Sequence, residues 1–214
     1  MKNLPGIEST SKEKFNVDSK KKKETKEKLV SAFFKLYENN KIESITIQQV
    51  AELAGYNRGT FYLYFKNIYD LLQKIEQEIL DDVDDRANRI IAIYYSMEEN
   101  LEDCNIGEYQ DDVLRYGEYM KVLNGENGDS RFRHRMKNLI KEAYRKHLKD
   151  DDIKKPLHFE YLLEYLTEAN MSIIQYWLSN HGKSNEKLSL KEVMRIMHVV
   201  SEQGFRKAFE KYTK

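Results

Sequence analysis

The sequence predicts an all-α protein, and three observations carry that prediction. Proline occurs only at Pro5 and Pro156 and glycine only nine times in 214 residues, so little in the chain interrupts a helix. Leu, Ile, Lys and Glu are abundant. Apolar side chains recur three and four residues apart along most of the length, and no segment alternates as a half-buried strand would. About nine helices follow, organised as a flexible tail over 1–18, a first domain over 19–67 and a second over 68–214.

Residues 1–17 mix polar, Gly and Pro residues without a period, which makes them the tail. Lys20 to Lys23 lead into a first helix over about 19–39, in which Leu29, Ala32, Phe33, Leu36 and Tyr37 share a face. Thr46 caps the next helix, with Gln49 completing a capping box. Val50, Leu53 and Ala54 are expected to face inward. Gly55 ends that helix in the left-handed conformation a Cβ would penalise. Tyr56 packs in the turn, and Asn57 caps a third helix reaching about Tyr64.

From Ile68 a longer helix carries Leu71, Leu72, Ile75, Ile79 and Val83. The acidic run Asp81, Asp82, Asp84, Asp85 is expected to break it, because carboxylates disfavour a helix end and favour a start. A separate helix then carries Ala87, Ile90, Ile91 and Tyr94. Further helices follow through Val113 to Leu123, Phe132 to His147, Phe159 to Trp177 and Val193 to Ala208.

Lys and Arg balance Asp and Glu at 36 each, but not evenly. The ratio is 13 to 8 over residues 1–66 and 23 to 28 over the remainder, the asymmetry of a nucleic-acid module joined to a domain that does not bind nucleic acid. A single cysteine, Cys104, precludes an intrachain disulfide and suits a reducing cytosol, so a cytoplasmic location is expected. No run reaches the roughly 20 apolar residues that span a bilayer. His134, His147, His158, His181 and His198 lack neighbours at metal-ligand spacing, and no phosphate-cradling loop or nucleophile motif is present. No enzyme, metal or cofactor is expected.

The stretch TIQQVAELAGYNRGTFYLYFKNI, residues 46–68, has the form helix, glycine turn, helix, in which the second helix enters a major groove. Arg58 and Gly59 fall in its first turn, where free amides and the helix dipole favour phosphate and side chains reach base edges. Arg58 suits a guanine, while Asn57 is divided between capping and contact. Thr60, Tyr62 and Tyr64 present hydroxyls and Lys66 a charge to phosphates. Gln48 on the preceding helix reaches phosphate or base. Phe61 and Phe65 turn inward. The competing reading is a helical hairpin whose tyrosines cover the core.

The same residues, AELAGYNRGTFYLYFKN followed by DLL, resemble the N-terminal signature of the TetR family of bacterial transcriptional regulators. The resemblance covers about residues 19–72. It implies a homodimeric, sequence-specific regulator on a palindromic double-stranded operator, with Thr60, Tyr62, Tyr64 and Lys66 on phosphates and Gln48, Asn57, Arg58 and Gly59 at operator-contact positions. Ile68 stands where many members place a lysine. A repressor released by a small ligand is the function implied; the alternative is control by protein partners or DNA occupancy without a small-molecule inducer.

For the second domain the resemblance implies two tasks. The first is dimerisation through a bundle of the last two apolar helices, with Ile173, Trp177, Val193, Met197, Val200, Gly204 and Ala208 at the interface. The second is a cavity for a small apolar or aromatic effector, with Tyr94, Tyr116, Tyr119, Tyr144, Tyr165 and Met171 as wall residues. A collapsed core would favour control without a ligand, and an open apolar cavity the reverse.

Overall fold

The computed structural model describes residues 8–96, 107–147, 155–181 and 188–212; every described element is helical and no strand occurs among them. The chain forms two compact units, Met1–Lys74 and Ile75–Lys214.

In the first unit, α1 runs over Glu8–Tyr37, α2 over Ile47–Leu53 and α3 over Arg58–Tyr62, and α4 begins at Ile68. A 3-10 turn, Ile42–Ser44, links α1 to α2. The α1 helix starts within the stretch expected to be irregular. After Gly6 that stretch holds no further breaker. The Asn40 amide bonds the Leu36 carbonyl at 2.7 Å and closes the helix. Phe33, Phe34 and Tyr37 bury their rings against one another, with Phe33 and Tyr37 stacked at 5.3 Å. Val50 and Ala51 join this core, whereas Leu53 is 52% exposed, contrary to expectation. Ala51 and Val50 take the buried face of so short a helix, and Leu53 lies beyond its edge.

In the second unit α4 continues to Ser96 without a break at the acidic run. The carboxylates of Asp81, Asp82 and Asp84 each have a side-chain partner one turn away. Gln77 bonds Asp81 at 2.7 Å, Asn88 bonds Asp84 at 2.9 Å, Arg86 pairs with Asp82, and Arg89 bonds the Asp85 carbonyl. These i,i+4 contacts carry the helix through. There follow α5 over Gly107–Leu123, α6 over Ser130–His147, α7 over Pro156–Asn180, α8 over Leu190–Met197 and α9 over Gln203–Tyr212. Pro156 opens α7, where its missing N–H costs nothing.

The expected single helix over Val193–Ala208 is divided by a π turn at His198–Glu202. Met197 and Phe209 are both buried, yet twelve residues of regular α-helix would set them about 120° apart. A turn bonded i to i+5 winds less per residue and returns Phe209 to the core, where it meets Phe159 edge-on at 5.7 Å. The count of nine helices among the described residues thus holds because one expected division is absent and another is present.

The α6 and α7 helices are joined by a ladder of ion pairs. Arg133 meets Glu168 at 2.6 Å, Lys137 meets Glu164 at 2.7 Å, Lys141 meets Glu164 at 2.8 Å and Arg145 meets Glu160 at 2.7 Å.

Candidate nucleic-acid interface and cavity

Local hydrogen bonds shape residues 46–67 into two short helices with a tight turn. The Thr46 hydroxyl accepts from the Gln49 amide at 3.2 Å while the Gln49 side chain accepts from the Thr46 N–H at 2.9 Å. At the other end of α2, the Gly55 N–H bonds the Glu52 carbonyl at 3.0 Å and the Tyr56 N–H bonds that of Ala51 at 2.8 Å. That pair of bonds requires a left-handed residue between them, and Gly55 has φ +78°.

Asn57 then caps α3. Its Oδ1 accepts from the Thr60 amide at 2.9 Å and the Thr60 hydroxyl at 3.3 Å, which leaves only its Nδ2 for an outside partner. Gly59 has a local reason, since a Cβ there would lie 3.1 Å from the capping oxygen. Arg58 is exposed and has no ion-pair partner among the described residues. Tyr62 is 53% exposed, Tyr64 is half-buried, and Phe61 and Phe65 are buried beneath them. Gln48 is exposed on α2 and bonds the Glu52 carboxylate. The predicted contact residues therefore lie on α2, on α3 with its cap, or in the segment between α3 and α4, and all but Thr60 and Tyr64 are exposed.

Sequence reasoning missed the seating of Lys66. Its N–H donates to Asp70 at 2.8 Å, Asn67 caps α4 through the Asp70 amide at 2.8 Å, and Lys74 reaches the Tyr64 carbonyl at 3.1 Å. The Lys66 backbone bond, aided by Lys74, holds the Asp70 carboxyl below its ordinary value. The spacing of Asn67 and Asp70 is a cap signature and was the available signal. Ile68 is buried, and the exposed residue beside it is Tyr69. On α1, Lys20 to Lys23 are all exposed, and the hydroxyl of Thr25, one turn on, lies 3.4 Å from that of Tyr56 in the turn before α3.

The second unit contains a cavity of about 210 Å³. Tyr116, Tyr144 and Met171 line it as expected. Tyr119 is not among its lining residues, and Tyr165 is 64% exposed on the outer face of α7. Tyr94 lies outside the residues whose side chains are described. The wall is mostly aliphatic and methionine side chains, with Asn170 donating to the Tyr144 hydroxyl at 3.4 Å.

Of the expected interface residues, Trp177, Val193 and Met197 are buried in one core cluster of the chain itself, with Ile173 half-buried against it. The indole of Trp177 donates to the Leu188 carbonyl at 2.8 Å. Val200 and Gly204 are exposed and Ala208 half-buried. Exposed apolar residues outside the expected set include Leu157, Tyr161, Tyr165 and Tyr176 on α7, Ile196 on α8, and Val199 beside Val200 in the π turn. Four of these repeat along α7 within an arc of about 100°.

A capped helix pair around a left-handed glycine, with a basic and hydroxyl-bearing second helix, defines a helix-turn-helix DNA-binding regulator. Residues 26–75 match the family model described as bacterial regulatory proteins, tetR family, and residues 113–203 match one described as a transcriptional regulator C-terminal region. The chain belongs to the TetR family of bacterial transcriptional regulators. Similar solved structures include a TetR transcriptional regulator from Streptococcus agalactiae 2603V, at 19% identity over 86% of this chain and 97% of that one with a TM-score of 0.47. The dihydroxyacetone kinase operon activator DhaS matches at 15% identity over 86% and 97%, with a TM-score of 0.47. The fatty acid degradation regulator FadR from Bacillus halodurans matches at 16% over 85% and 96%, also with a TM-score of 0.47. No described helix is long and apolar enough to cross a membrane.

Proposed function

We propose that this protein is a dimeric, sequence-specific repressor released from its operator by a small molecule. The observation that carries the proposal is the cavity's wall. Ile79, Val83, Ala87 and Ile91 of α4 form one side of it, and α4 is the same continuous helix that begins behind α3 at Ile68. A ligand that binds better to the arrangement unable to fit DNA draws the population towards it, and α4 is the element such a ligand touches.

On the DNA side, Arg58 reads a base edge from the first turn of α3, and Thr60, Tyr62, Tyr64 and Lys66 hold phosphates. Gly59 permits close approach, and Gln48 and the free Nδ2 of Asn57 contribute where the backbone passes. Tyr69 and Lys20 to Lys23 extend the same basic, hydroxyl-bearing surface. For the dimer, the α7 stripe of Leu157, Tyr161, Tyr165 and Tyr176, with Ile196, Val199 and Val200, is the face that mates with a second copy. An exposed apolar stripe of this length is a usual mark of an interface.

The test is selection of bound fragments from a random DNA library by the purified protein. The expected result is a palindrome whose half-sites lie about 34–36 Å apart, one helical turn. Enrichment of a single half-site would remove the dimeric reading, and no enrichment from folded protein would remove operator recognition.

A further inference from the structure

We propose that the cavity of the second unit takes an uncharged two-ring compound carrying one hydrogen-bond donor, which is received by Oδ1 of Asn124. This rests on the reading of the cavity as an effector site and names the chemistry of its ligand.

Size sets the skeleton. A cavity of roughly 150 Å³ holds a single benzene ring. The volume here, about 210 Å³, leaves room for a second fused ring. Ile79, Val83, Met136, Ile140, Ile174 and Met194 offer aliphatic and thioether surface to such a ring system.

Charge sets the ionisation state. Among the described wall residues the charged side chains are Asp82, Arg86 and Arg133. Asp82 and Arg86 pair with each other along α4, and Arg133 pairs with Glu168 of α7 at 2.6 Å. An anion entering the cavity therefore has to share Arg86 with Asp82 or Arg133 with Glu168, each already held by its carboxylate. A cation faces the mirror-image penalty. Either costs more than burying a neutral ring.

The wall also carries an acceptor without a donor. The Asn124 Nδ2 donates to the Met120 carbonyl at the end of α5 at 2.9 Å, which fixes the orientation of the amide. Its Oδ1 is buried and has no hydrogen-bond partner among the described residues. Asn124 lines the cavity. A buried acceptor without a donor is costly, and a ligand O–H or N–H removes that cost where a ligand without a donor does not.

Three probes on one skeleton test this against the full-length protein: 2-naphthol, 2-fluoronaphthalene and 2-naphthoate, with dissociation constants measured by calorimetry or fluorescence competition. The expected order places 2-naphthol first, about two- to tenfold tighter than 2-fluoronaphthalene, with 2-naphthoate weakest. In Asn124→Leu the first two probes converge. Strongest binding by 2-naphthoate, equal binding by all three, or binding by none overturns the proposal, and these outcomes need no variant. Selectivity that persists in folded Asn124→Leu overturns the role given to Asn124. The same probes are added to the DNA complex separately. The expected order in the absence of DNA release supports the ligand class while removing the release mechanism, so the two ideas fail by different signs.

Discussion

Glu76 of α4 is paired with Arg135 of α6, and the two ends of the pair sit in different surroundings: the Glu76 side chain is 5% exposed and that of Arg135 is 42% exposed. Burial pushes the Glu76 carboxyl above its ordinary value, and the attraction of Arg135 only partly opposes it. The pair stands one turn before Ile79, where α4 begins to line the cavity.

A stability prediction follows from the sign of that shift. The folded protein holds the Glu76 proton more tightly than the unfolded chain, so the associated stability is complete below the ordinary value of 4.5 and is lost as pH rises through the raised one. Glu76→Gln removes this dependence. Urea unfolding of both proteins at acid and neutral pH is expected to show the variant gaining on the wild type as pH rises. A constant difference between them would mean that the attraction of Arg135 cancels the effect of burial.

Asn57 separates capping from DNA contact. Asn57→Ala removes the oxygen that holds the Thr60 amide and is expected to cost about 1 kcal/mol in thermal or urea unfolding. Asn57→Asp keeps a capping oxygen, so stability is retained, but it brings a carboxylate to the surface proposed to face phosphates. Operator affinity measured by fluorescence anisotropy is then expected to fall in the Asp variant while unfolding is unchanged. Unchanged affinity would place this end of α3 away from the DNA.

Arg58 and Tyr62 are expected to fail differently. Arg58→Ala relaxes the preferred sequence and costs about 1–3 kcal/mol on the best site, because the guanidinium no longer bonds a base edge. Tyr62→Phe removes one phosphate bond and weakens all sequences alike. Binding profiles over a randomised half-site distinguish the two, and an unchanged profile for Arg58→Ala would take base reading from it.

The helix-turn-helix was legible because its determinants act locally. Thr46 with Gln49, Gly55 with Glu52, and Asn57 with Thr60 all make their bonds within four residues. Legibility failed where partners are distant or compete. The acidic run in α4 reads as a break when only the helix dipole is considered, and as continuous once Gln77, Arg86 and Asn88 are paired with it. On α7, Tyr165 and Trp177 lie on the same broadly apolar helix, yet one is exposed and the other buried. Spacing sets the two about 120° apart on α7, but which face is covered is decided by α8, which supplies Leu190, Val193 and Met194 to cover the indole.

The lysine run makes a salt-dependence prediction. Lys21 and Lys22 precede Thr25 by four and three residues, so they lie on its face of α1, and Thr25 is in turn beside Tyr56. Replacing both by Gln is expected to lower the slope of log affinity against log salt by about 0.9 for each phosphate no longer neutralised, with the preferred site unchanged. An unaltered slope would make these lysines a solvated helix face.

The interface prediction contrasts an exposed residue with a buried one on the same helix. Tyr176 is 74% exposed and Trp177 is 6% exposed. Tyr176→Asp puts a charge into the proposed contact between copies but disturbs little within the chain, so sedimentation should show a folded monomer with weakened operator binding, since one recognition helix then binds without its partner. Trp177→Ala instead opens a void beneath Leu190 and Val193 and abandons the bond to Leu188, and is expected to cost about 3–5 kcal/mol of stability. A Tyr176→Asp protein that remains dimeric would move the interface off the α7 stripe. Loss of folding in that variant would show that the stripe is covered by the chain itself.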